Sequence, residues 1–118
     1  MDWVEIAPIN LGIIEVLRGR PEEARVWLNG VANVARRLGQ GRELQITCAV
    51  LLACDALVGD AERFREHLVE VEPGVTTGAL GEPDIPLVLG IAAKAAAERG
   101  DAEQVAVLQG LIDRIGVR

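Results

Sequence analysis

A chain of 118 residues with a formal charge of −6 is long enough for one domain and too acidic for non-specific binding to nucleic acid or to acidic membranes, which needs clustered Lys and Arg. Half of the residues are hydrophobic, yet the aromatics are confined to Trp3, Trp27 and Phe64, so the expected core is aliphatic and alanine-rich. Lys94 is the single lysine beside 11 arginines, a composition that fits a GC-rich bacterial genome.

The first helix is predicted over Ile6 to Arg18, starting near residue 6 or 7 because Pro8 is tolerated only in a first turn. Ile6, Ile9, Ile13, Ile14, Val16 and Leu17 give it a broad apolar face, and Gly19 stops it. Pro21 opens a second helix to Leu38, amphipathic through Ala24, Trp27, Leu28, Val31, Ala35 and Leu38. Glu22 and Glu23 at its start and Arg36 and Arg37 at its end complement the helix dipole.

The third helix, from about Arg42 to Val58, is the most apolar. In its stretch LQITCAVLLACDALV only Gln45, Thr47 and Asp55 interrupt the apolar and small residues, so nearly every side must be covered. The stretch is shorter than the roughly 20 residues that cross a bilayer, and Asp55 would be costly there, which makes it the expected centre of an all-helical soluble domain. Gly59 ends it, and Asp60 caps the next helix, Ala61 to Val71, with Phe64, Leu68 and Val71 buried. Glu72 to Pro83, EPGVTTGALGEP, lacks a helical period and is predicted as a long loop. Asp84 is the expected N-cap of a helix with Pro86 in its first turn, running to Arg99. After Gly100, Asp101 caps the last helix, Gln104 is placed to complete a capping box, and Val105, Leu108, Leu111, Ile112 and Ile115 form its apolar face. No strand pattern of useful length is present.

Three junctions are alike. Gly19, Gly59 and Gly100 are each followed three residues later by Glu and two further on by Ala24, Phe64 or Val105, and the glycines stand 40 and 41 residues apart. Each lies between an apolar helix and an amphipathic one, an internal repeat of helix pairs whose period means stacking. With Leu11-Gly12, Gly19 and Ala24 the first unit resembles the tetratricopeptide family. The longer period is similar to that of superhelical regions in large bacterial ATP-binding transcription regulators and signalling ATPases, as is the ending from Val107 to Gly116. The resemblance implies a single all-α domain over residues 1–118: three antiparallel helix pairs, about 6–39, 42–72 and 84–116, stacked as a right-handed tetratricopeptide-like solenoid. Leu52 and Ala93 stand where unit one has Gly12, and Phe64 and Val105 replace Ala24, which implies slightly wider spacing or a different packing in the second and third pairs.

By the same resemblance, a partner-binding groove is lined by Ile9 and Ile13, Ala49 and Ala53, and Gly90 and Lys94. An apolar groove has to be covered by a partner helix, a second copy or an adjacent repeat, unless these residues are intramolecular core. Glu15 and Asp55, one repeat apart, are a candidate polar site: as stacked carboxylates they could serve as acid and base, or each could meet an arginine such as Arg25 or Arg63. His67 is the lone histidine, and Cys48 and Cys54 have neither metal-ligand spacing nor disulfide reach, so no metal site is expected. The cysteines fit a reducing cytoplasm, and no signal peptide is expected. No phosphate-binding glycine loop occurs, and no cofactor is expected. These features predict a non-enzymatic protein–protein interaction module that binds a protein or peptide and is open to self-association. Its place is in or beside a bacterial regulator, with no direct nucleic-acid or membrane partner. The alternative is an effector-sensing domain with a small apolar ligand in the groove.

Overall fold

A chain can reverse between helices in two or three residues only where one of them takes a left-handed backbone, which glycine does without steric cost. The computed structural model describes residues 3–116, with side chains from Ile9 onward. In it Gly19, Gly59 and Gly100 have φ of 75°, 81° and 77°. The next residue donates its backbone N–H back across the turn in each case: Arg20 to the Glu15 carbonyl at 2.7 Å, Asp60 to Asp55 at 2.9 Å, and Asp101 to Ala96 at 2.9 Å. The three junctions that repeat in sequence therefore repeat in hydrogen bonding.

The described residues form six helices and no strand: α1 Trp3–Leu17, α2 Pro21–Leu38, α3 Gly41–Val58, α4 Ala61–Thr77, α5 Asp84–Glu98 and α6 Ala102–Gly116. Two boundaries differ from expectation. Helix α1 begins at Trp3, ahead of Pro8, and the expected core position Ile6 has its side chain outside the described residues. Helix α4 runs six residues beyond Val71, carrying Pro73 within it and reducing the long loop to residues 78–83. Packing overrides the local break signal here. Val71 and Gly74 are buried, and a Cβ on Gly74 would stand 3.0 Å from the Gln45 Cβ, so the proline-glycine step lies close against α3.

Capping follows the sequence at Asp60, whose carboxylate accepts from the Arg63 N–H at 3.1 Å, and at Asp101, which accepts from the Gln104 N–H at 3.1 Å. The reciprocal half of the expected capping box is replaced, because the Gln104 carbonyl accepts from Arg99 at 2.8 Å. Asp84 is the first residue of α5 and Pro83 holds the cap position.

Helix α3 is the centre. It packs against α1, α2, α4 and α5, while α1 packs on α2 and α5 on α6. Every residue from Thr47 to Ala56 is buried as a result. Each leucine so enclosed contributes roughly 2 kcal/mol. Helix α1 also reaches α5, across α3. The close approach of α1 to α2 depends on Gly12, where a Cβ would lie 2.7–2.9 Å from the Leu28 side chain. Among the described residues no helix is long and apolar enough to cross a membrane.

Candidate functional site

Asp55 is the one carboxylate inside the apolar run of α3, and it is fully buried. Its side chain, four residues before Gly59, meets both α2 and α4. From α4, the His67 Nδ1 lies 2.5 Å from Asp55 Oδ2; from α2, the Arg25 Nε lies 3.5 Å from Oδ1. Arg25 also donates through Nη2 to Asp60 at 2.7 Å and through Nη1 to Glu22 at 3.1 Å. One polar node thus ties α2, α3 and α4 together at the end where α3 turns into α4.

Burial, the largest effect, pushes the Asp55 carboxyl above its ordinary range; the His67 hydrogen bond and the charges of His67 and Arg25 offset this only in part. Asp55 Oδ1 has no hydrogen-bond partner among the described residues. Asp60 moves the other way, held down by the Arg63 backbone N–H and then by Arg25. His67 is 6% exposed and Asp55 0%, so neither presents a reactive atom to a bound molecule.

The two candidate carboxylates are not brought together. Glu15 faces Arg18 at 3.7 Å and Arg20 at 3.8 Å, both from the turn after α1, whereas Asp55 takes Arg25 and His67. Arg25 is one of the two arginines expected for this role. The sequence singles out His67 only as the lone histidine, with no metal site expected. The signal for its real contact is its spacing: eight residues after Gly59, where Asp55 is four before it.

Cys48 and Cys54 are fully enclosed in α3, and desolvation pushes both thiols up to about 12. Neither is expected to react with a thiol reagent at about pH 8 until the chain unfolds, so labelling kinetics with Ellman's reagent should track global unfolding. Rapid labelling of the native protein would contradict this enclosure.

The groove expected from the resemblance is not an open surface at its centre. Ala49 and Ala53 are 0% exposed, and Ile9 and Ile13 are buried at 8% and 7%. Gly90 is half-buried, and Lys94 is exposed on α5. The physical reason is that α3 is covered by α1, α2, α4 and α5 together, with α1 also meeting α5. A small hollow of about 70 Å³ does lie between α4 and α6, lined by Phe64, Leu68, Gln104 and Val107 among others. That is well below the roughly 300 Å³ at which ligand pockets begin. No group of three or more potential metal-ligating side chains converges among the described residues.

Exposed apolar side chains are concentrated elsewhere. Of nine large hydrophobic residues exposed among those described, seven belong to α1 and α2: Leu11, Ile14, Leu17, Val26, Trp27, Val34 and Leu38. No protein-family model, curated protein or solved structure matches the chain.

Proposed function

We propose that the chain is a non-catalytic protein-interaction module, built as three tetratricopeptide-like helix pairs, which serves in or beside a bacterial regulatory protein and docks its partner on the outer faces of α1 and α2. The carrying observation is the gathering of exposed apolar residues on these two helices, since such patches on a folded surface mark sites of association. The repeated glycine turns and the contacts α1–α2, α3–α4 and α5–α6 support the pairing. The burial of Ala49 and Ala53 at the centre supports docking on the outside rather than in the groove. The enclosed Asp55–His67 pair supports a structural role for the chain's most unusual polar residues.

The test is photocrosslinking in cells from benzoylphenylalanine placed at Ile14, Trp27 or Val34, with Glu62 and Glu103 on α4 and α6 as control positions. Adducts of protein size from the first set and not from the controls are the expected result. Equal or absent crosslinking at both sets would remove the reading.

A further inference from the structure

The solvent-facing side of α2 has a symmetry that its role within the monomer does not require. Counted outward from Gly30, Val26 and Val34 lie four residues away, and Glu23 and Arg37 lie seven away. Steps of four and seven keep to one helical face. Val26, Trp27 and Val34 on that face are 77%, 54% and 42% exposed, while α2 packs on α1 and α3 through its other side.

Two features of this face are not called for by packing or ion pairs within the chain. Gly30 sits in mid-helix, where glycine weakens the helix, yet a Cβ there would meet nothing within 4 Å. Close packing inside the chain therefore does not call for it. Glu23 and Arg37 have no ion-pair partner among the described residues, although neighbouring Glu22 and Arg36 do. An acidic start and a basic end also suit the dipole of α2 itself. That accounts for the charges but not for the glycine or the exposed valines and tryptophan.

We propose that this face binds a second copy of the same chain, α2 packing antiparallel against α2 of the second copy about a two-fold axis that passes over Gly30. The axis sets Glu23 against Arg37 of the second copy, and Val26 against its Val34, each pair occurring twice as an isologous contact must. Gly30 facing its own equivalent lets the two helices approach closely, and the helix dipoles run in opposite directions. The proposal deepens the interaction reading above and rests on it. From Glu23 to Arg37 the contact spans about 21 Å of helix. One helix from each copy buries less than the roughly 1,200 Å² of stable interfaces, so the dimer is weak and depends on concentration.

Sedimentation equilibrium of the full chain from about 5 μM to about 1 mM tests this, with circular dichroism to establish native helicity of every variant. A reversible monomer–dimer equilibrium is expected. Glu23→Arg or Arg37→Glu alone should weaken it about tenfold by setting like charges together, and the double reversal should restore it to within about threefold. Val34→Asp should abolish it. A monomer throughout the range, a dimer indifferent to these single changes, or a double reversal no better than the singles would each overturn the inference. If the dimer fails while Trp27 and Val34 still crosslink to a different protein, the second copy is excluded and the interaction module stands. If both experiments fail, both readings fall.

Discussion

Replacing His67 by Leu is expected to destabilise the fold by about 3 kcal/mol near neutral pH, because it strips a buried carboxylate of its hydrogen-bond donor. Asp55 is fully enclosed, Oδ1 has no hydrogen bond among the described residues, and Arg25 Nε is 3.5 Å away. The pH dependence has a definite sign. Asp55 holds its proton more tightly in the fold than a free carboxyl does, so its contribution to stability is complete below the ordinary carboxylate range and is lost as pH rises through its raised folded value. His67 is the main influence holding that value down, so without it the loss with rising pH should be larger. Asp55→Asn removes the ionisation, and His67→Leu should therefore cost markedly less in that background. Urea denaturation of the four variants at about pH 5 and about pH 8 measures this cycle. An equal cost of His67→Leu in both backgrounds would falsify the coupling.

Leu28→Ala is expected to cost about 3–4 kcal/mol, since this side chain is fully buried between α1 and the rest of the core. Its interplay with Gly12 is more informative than its size. In the native background Gly12→Ala drives a methyl to within 2.7–2.9 Å of Leu28, an overpacking whose cost of about 1–3 kcal/mol outweighs the gain of up to about 1 kcal/mol in helix propensity. Once Leu28 is Ala, the same methyl enters vacated space and the helix gain remains. Gly12→Ala should thus change sign, from destabilising to stabilising by about 1 kcal/mol, in thermal or urea melts of the double variant. Destabilisation in both backgrounds would mean that the approach of α1 to α2 is set by something other than this pair.

Much of the architecture was legible because it rests on local chemistry. The three turn glycines stand at a fixed period with an identical backbone hydrogen bond, and such turns are read directly from residue type. The apolar run of α3, interrupted only by Gln45, Thr47 and Asp55, likewise announced a helix covered on nearly every side. What escaped the sequence is what depends on distant neighbours. Pro73 and Gly74 read as a loop, but the burial of Val71 and Gly74 against α3 carries α4 through to Thr77. Whether Ala49 and Ala53 line a groove or belong to the core stayed open, because a repeat period says nothing about whether α1 will meet α5. In the polar site, Asp55 stood out as a charge in an apolar helix, and Arg25 was in reach of that reasoning. His67 was not, since its contact is a matter of side-chain direction across the α3–α4 turn, and Glu15 found arginines in its own turn before any partner one repeat away.

The enclosure of α3 bears on how the chain can fold and change. In an extended repeat array each unit touches only its neighbours, so a terminal unit can fray or be deleted while the remainder stays folded. Here the run from Thr47 to Ala56 draws its cover from α1, α2, α4 and α5 together. Removing α1 and α2, or α5 and α6, would bare one side of it to water. The helices around α3 are therefore expected to unfold with it as a single cooperative body, rather than fraying one at a time from the ends.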